Sequence, residues 1–177
     1  MRVIAGRLKG RQFQAPKGHR THPMSEKIRG AIFNSLGDIA GLTVLDAYGG
    51  SGALSFEAIS RGAINALALD VDKAAHRCIQ SNADDLQLGN KLKAIRVNAS
   101  AWSSNNTGAH FDIVLLDPPH DDLRRDVLAK ISQHAKPKGI MVLSWPGTEK
   151  VPAFSDFEEV SVKDYGDAQL VFYRRIA

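Results

Sequence analysis

The apolar positions change period along the chain, and the changes mark out its elements. Continuous apolar runs of strand length recur at LTVLDA (42–47), ALALD (66–70), LKAIRVN (92–98), FDIVLLD (111–117) and GIMVLSW (139–145). Runs of this kind predict strands buried on both faces. Between them the spacing turns helical. One helix opens at the glycine cluster 49–52 and runs through about Ser60, a second covers roughly Lys73–Leu86, and a third covers about Asp122–His134. Ahead of these, Ile28, Ala31, Ile32, Ser35 and Leu36 recur at helical spacing behind a candidate cap, Ser25. After Pro146-Gly147 two β-like runs, FEEVSVK (157–163) and AQLVFYRR (168–175), follow each other without room for a helix.

Alternating strands and helices predict an α/β fold with a mostly parallel, seven-stranded sheet and right-handed crossovers, closed at one edge by an antiparallel C-terminal hairpin. The stretch Ser-Ser-Asn-Asn-Thr-Gly (103–108) reads as an exposed loop. RVIAG (2–6) and RQFQA (11–15), joined around Lys9-Gly10, predict an N-terminal β-hairpin. The expected organisation is a hairpin arm over residues 1–20 and one α/β domain over 21–177.

Composition narrows the class. At 177 residues, 44% hydrophobic and 24% charged, the chain fits one globular domain. No apolar run approaches the roughly 20 residues that span a bilayer, and the first residues lack the apolar core of a secretion signal. The single cysteine, Cys78, excludes an internal disulfide and makes a reducing cytoplasm the expected compartment. Beside Ile79 in a helical stretch, it reads as a buried, inert thiol. A monomer with no membrane association is expected.

Charge is unevenly placed. Residues 1–29 hold eight cations (Arg2, Arg7, Lys9, Arg11, Lys17, Arg20, Lys27 and Arg29) against one acid, Glu26, a net of +7. The remaining 15 Lys/Arg and 18 Asp/Glu give the rest of the chain a net of −3. A basic arm on a mildly acidic body points to an anionic polymer, and cations interleaved with strand formers favour nucleic acid over a merely solvated end.

The candidate chemistry lies at strand ends. Ligands of doubly wound sheets sit beyond the carboxyl ends of the strands. The first strand ends at Asp46 and continues Ala47-Tyr48-Gly49-Gly50-Ser51-Gly52, and the second ends at Asp70-Val71. Glycines let backbone approach a ligand closely, and Asp70 is placed to accept from ribose hydroxyls. A dinucleotide would need its pyrophosphate here, but serine stands at the third glycine position, and Asp46 would repel the phosphates. S-adenosylmethionine carries an amino cation and a sulfonium and no phosphate, and it fits the acid better; NAD is the alternative. The fourth strand runs into Asp117-Pro118-Pro119-His120. Proline fixes the chain's direction and keeps its carbonyl as an acceptor. Asp117 and Pro118 therefore make a stiff acceptor pair for an exocyclic amine, and His120 could stack on the base. No His/Cys cluster has metal-ligand spacing. Apart from His120, the histidines at 19, 22, 76, 110 and 134 read as surface or connector residues.

VLDAYGGSGALSFEAISRGA (44–63) and LLDPPH (115–120) resemble the bacterial small-subunit (16S) ribosomal RNA guanine-N2 methyltransferases, a class I S-adenosylmethionine-dependent, Rossmann-like family. The likeness runs over nearly the whole chain. RVIAGRLKGRQFQAPKG resembles that family's RNA-binding hairpin, HPMSEKIRGAIFNSL (22–36) its cofactor-side helix, and DYGDAQLVFYRR its closing strands. The resemblance implies methyl transfer to a guanine amine of ribosomal RNA, free or in the small subunit. It implies cofactor contacts at Ser25, Asp46, Tyr48, Gly50, Ser51, Gly52, Asp70, Val71, Asn98, Ala99 and Asp117, with Asn98-Ala99 flanking the adenine. It implies that Asp117 to His120 hold the guanine and that the eight arm cations bind RNA. The sequence departs from the pattern at His22 and Met24 (for Arg and Thr), at Asn98 (for Asp) and at His120 (for an aromatic). An amino methyltransferase acting on DNA adenine or cytosine, or a non-catalytic RNA-binding protein of the same fold, would share these features.

Overall fold

A computed structural model describes residues 1–18 and 23–177. The expectations for His19, Arg20 and His22 lie outside the described residues.

Seven strands form one sheet: β1 (Thr43–Asp46), β2 (Asn65–Asp70), β3 (Leu92–Arg96), β4 (Phe111–Leu116), β5 (Ala135–Pro146), β6 (Phe157–Asp164) and β7 (Ala168–Arg175). Their order is β3-β2-β1-β4-β5-β7-β6. The first five are mutually parallel, and β7 pairs antiparallel with both β5 and β6, as the patterning predicts. The order in which the chain adds strands reverses between β1 and β4, which makes the gap beyond their carboxyl ends the switch point.

Alternation along each strand splits the core in two. Val44, Ile113 and Leu115 face one layer with α1 (Glu26–Leu36), α2 (Ala53–Ser60) and α3 (Lys73–Asp85). Leu45, Val114, Leu116 and Leu143 face the other, with α4 (Ala99–Asn105) and α5 (Arg125–Ser132). The helix α1 is capped as expected, the Ser25 hydroxyl accepting from the Ile28 N–H at 3.2 Å.

Two expectations are corrected here. The stretch 103–108 is not all loop: Ser103–Asn105 end α4, a serine-rich helix whose single large apolar residue, Trp102, is buried. That helix covers His134, which is 2% exposed rather than a surface residue. His134 Nδ1 lies 2.6 Å from the Ala109 carbonyl and Nε2 2.8 Å from the Ser103 hydroxyl. Burial pushes its imidazole below the usual range.

The N-terminal segment forms the expected hairpin, short but paired: Arg2 and Gln12 form an antiparallel bridge, the Val3 N–H donates to the Arg11 carbonyl at 2.9 Å, the Gly10 N–H to the Val3 carbonyl at 2.9 Å and the Phe13 N–H to the Met1 carbonyl at 3.0 Å. The donors that face outward from this pairing go to the body. The Ile4 and Ala5 N–H groups reach the two oxygens of Glu57 at 2.9 and 3.1 Å, and the Leu8 N–H reaches the Ser60 hydroxyl at 2.9 Å. Val3, Leu8 and Phe13 are buried in the first core layer, with Phe13 edge-on to Phe56 at 5.0 Å between centroids. Gly6 sits at φ +82° where a β-carbon would stand 2.0 Å from the Ser60 carbonyl oxygen, so only glycine permits this approach.

Candidate functional site

Three strands deliver their last residues to the switch point. Asp46 pairs with Ala68 of β2 on one side and Leu115 of β4 on the other. Asp70 ends β2, and Asp117 follows the last residue of β4. The turn after β1 is held in this corner by its neighbours: the Gly49 N–H donates to the Leu69 carbonyl at 2.7 Å, and the Gly50 N–H to the Asp70 carboxylate at 2.8 Å. The other Asp70 oxygen accepts from the Asp72 N–H, also at 2.8 Å. Gly50 and Gly52 adopt φ of +53° and +82°, and a β-carbon on Gly52 would meet the Phe56 ring at 2.5 Å. Gly52 then caps α2 without a side chain. Ser51 is buried beneath the turn.

Asp46 is fully buried. It therefore does not line the crevice directly, as the resemblance implies, but lies behind the glycine turn. The Ser55 hydroxyl donates to its Oδ2 at 2.8 Å, while Oδ1 has no partner. Burial, reinforced by the Asp117 and Asp70 carboxylates, pushes it up to about 7. An acid at that value responds to whatever charge arrives nearby.

Asp117 is half-buried, Pro118 buried, and Pro119 and His120 exposed. Burial raises the Asp117 carboxyl above its usual range, opposed by the Ser144 hydroxyl and the His120 charge. Ser144 escapes a reading of the sequence because it sits inside the apolar run GIMVLSW, yet it is the β5 residue that supports Asp117. Tyr48 is half-buried, with its phenol pushed up to about 12 by burial and by Asp122 and Asp126.

On the β2 side, Val71 is 58% exposed directly after Asp70, an apolar surface at the lip of the crevice. Asn98 caps α4 through its Oδ1, which accepts from the Ala101 N–H at 3.1 Å, and Ala99 is buried beside it. Both follow β3, whose chain is tied to β2 by the Val97 N–H on the Asp70 carbonyl. The Ser25 hydroxyl is engaged in capping α1.

The basic residues separate into two sets. Arg7, Lys9 and Lys17 are exposed; Arg2 is exposed but ion-paired with Glu26 at 3.0 Å, Arg11 donates to the Asp85 carbonyl at 2.8 Å, and Lys27 lies over the Tyr165 ring. Arg29 overturns its assignment to an RNA-facing surface. It is 1% exposed, donates to the Arg2 carbonyl at 2.6 Å, and has its Nε 3.9 Å from Glu57. Its position on the inner face of α1 makes it a tie between arm and body.

A family profile described as "Conserved hypothetical protein 95" matches residues 1–174. The chain belongs to this family. Its relatives include YlbH of Bacillus subtilis (strain 168), provisionally named an rRNA methyltransferase, 35% identical over 133 residues that cover 72% of this chain and 71% of that protein. Ribosomal RNA small subunit methyltransferase D of Escherichia coli (strain K12) is 32% identical over 120 residues, covering 67% of this chain and 60% of the relative. The solved structure of yhhF from Escherichia coli, provisionally named a methyltransferase, superposes with a TM-score of 0.89 at 26% identity. It covers 100% of this chain and 98% of its own. The sheet order and the closing antiparallel strands are those of methyltransferase structures.

The residues at the switch point suit S-adenosylmethionine. An orphaned, buried carboxylate oxygen on Asp46 answers a cation, Asp70 answers hydroxyls, and exposed Val71 answers a flat apolar ring. A pyrophosphate placed against three carboxylates would meet the opposite field.

Proposed function

We propose that this protein transfers a methyl group from S-adenosylmethionine to the exocyclic N2 amine of a guanine in small-subunit ribosomal RNA. The observation that carries the reading is the position of Asp117-Pro118, a half-buried acid and a buried proline, at the end of the strand paired with Asp46 and its glycine turn. Kinship with proteins named as rRNA methyltransferases supports the substrate class.

Bound S-adenosylmethionine supplies a methyl group on a sulfonium, and the C–S bond breaks as the N–C bond forms. The chain's own contribution is positional. The Asp117 carboxylate and the Pro118 carbonyl accept the two amine hydrogens, which draws the nitrogen away from planarity so that its lone pair, less shared with the ring, points toward the glycine turn. Asp46 supplies negative potential from behind that turn. The raised proton affinity of Asp117 suits it to collect the proton that the methylated amine releases. His120 offers its imidazole face to the base. A base taken out of a stack costs about a few kcal/mol, which phosphate contacts from Arg7, Lys9 and Lys17 offset.

The test is transfer of labelled methyl from S-adenosylmethionine into small-subunit rRNA, and into assembled small subunits, from cells lacking this protein, with DNA of equal length alongside. Label in one N2-methylguanine of rRNA is expected. Label in DNA adenine or cytosine, or none in any acceptor, overturns the proposal.

A further inference from the structure

The cations that the arm leaves free do not act alone. Beyond Phe13 the segment is strapped to α3. The Gln14 N–H donates to Asn82 Oδ1 at 3.0 Å, Asn82 Nδ2 donates to the Gln14 carbonyl at 2.8 Å, and the Cys78 thiol donates to the same carbonyl at 3.2 Å. Asn82 is 1% exposed, so this strap is a fixed wall rather than a loose contact. Between it and the first turns of α3 lies a groove of about 690 Å3, within the range of ligand-sized clefts. Lys17 stands on one bank, Lys73 and Arg77 on the other. All three are exposed, and among the described residues none lies in an ion pair. The single acid on the rim, Asp72, is engaged in capping α3 through the Ala75 N–H at 2.8 Å.

Lys73 and Arg77 stand out on a body that is net acidic beyond residue 29, and Lys17 of the arm faces them across one groove. Asp72 also follows Asp70-Val71, so the groove opens beside the β2 lip of the candidate crevice. We infer that this groove is a track for the substrate's phosphate backbone, in which Lys73 and Arg77 of α3 pair with Lys17 of the arm. Arg2 and Arg29 lie outside it, the first neutralised by Glu26 and the second inside the core. The occupant is single-stranded RNA leading to the reactive base, so the inference rests on the reading above.

The double variant Lys73→Gln, Arg77→Gln tests it in the full-length protein against the rRNA substrate. Loss of two phosphate contacts is expected to make the log–log salt dependence of RNA affinity shallower by about 1.4 and to weaken binding about tenfold or more. The Kd for S-adenosylmethionine is expected to stay within twofold, which also reports an intact fold. A matched control, Lys91→Gln with Lys93→Gln, removes the same charge at the start of β3, outside the lining of the groove, and is expected to leave the slope in place. Equal losses in the two double variants, or an unchanged slope in the first, overturn the groove while leaving the methyltransferase reading intact. Wild-type protein that neither binds nor methylates rRNA overturns both. As a second measurement, Cys78, which lines the groove half-buried rather than buried as its sequence context suggests, is expected to be protected from a maleimide by RNA in the wild type; alkylation at the same rate with and without saturating RNA overturns the track.

Discussion

Asp46 carries the sharpest physical consequence of any single residue. Its carboxyl is pushed up to about 7 by burial, far from an ordinary aspartate. An acid whose folded value is raised destabilises the folded state as pH rises from the unfolded value, near 4, through 7, since folding then requires a buried charge. Asp46→Asn is therefore expected to leave stability unchanged at pH 4 and to raise it by about 2–4 kcal/mol at pH 8, read as the difference in urea unfolding between variant and wild type. The same charge attracts a cationic ligand, so wild-type affinity for S-adenosylmethionine is expected to rise as pH passes through 7. Asp46→Asn should bind weakly at every pH, with the dependence flattened. A pH-independent wild-type affinity would mean that Asp46 does not face the cation. Asp117 behaves differently, because its proposed partner is the base. Asp117→Ala is expected to reduce methyl transfer by about 100-fold or more while leaving S-adenosylmethionine affinity within a few-fold, measured by titration calorimetry beside single-turnover assays. These acids are legible in the sequence because each closes an apolar strand run. The burial of Arg29 and His134 is not, since a cation on a helix and a histidine after one look alike whether they face solvent or a neighbouring element.

At the scale of elements, strand ends and helix starts follow from local signals, while the pieces that depend on a distant partner do not. The boundaries of β1, β2, β4 and α3 follow the apolar period closely. The helix α4 stayed hidden because its serines and asparagines favour loops, and its existence rests on Trp102 packing beside Phe111 and His134. The arm stayed half-hidden for a related reason. Its alternation suggests two paired strands, and Val3 with Arg11 and Met1 with Phe13 do pair, but nothing local shows that Glu57 and Ser60 of α2 take the remaining donors of Ile4, Ala5 and Leu8. Glu57 is fully buried, accepts from Ile4, Ala5 and Arg61, and faces Arg29. Removing its charge strands a guanidinium in the core, a loss that typically costs about 3–5 kcal/mol. Glu57→Gln is expected to lower stability by that order in urea unfolding and to open residues 1–13 to protease before the sheet unfolds. A loss under 1 kcal/mol would show that the arm is not anchored there.

Over the whole molecule these details decide whether the basic segment is an appendage or part of the body. Sequence charge alone suggests an appendage, because residues 1–29 are net +7 against a body of −3. The packing argues otherwise. Val3 and Phe13 are 1% and 4% exposed, Phe13 contacts Phe56, and Met1 donates to the Phe13 carbonyl. Removing residues 1–16 would uncover the layer formed by α1 and α2, strip Glu57 of its two backbone donors, and leave Asn82 without Gln14. Burial of three large apolar side chains is worth roughly 1.5–3 kcal/mol each, comparable to the whole net stability of a domain of this size, about 5–15 kcal/mol. The chain starting at residue 17 is therefore expected to be aggregated or largely unfolded at 25 °C by circular dichroism and gel filtration, and to bind S-adenosylmethionine poorly. The full chain with Arg7 and Lys9 both changed to Gln should fold normally and lose RNA affinity alone. If the truncated chain instead folded cooperatively and bound cofactor as well as the whole protein, the arm would be a detachable RNA-binding device, and the Glu57 anchor would be a contact of little energetic weight.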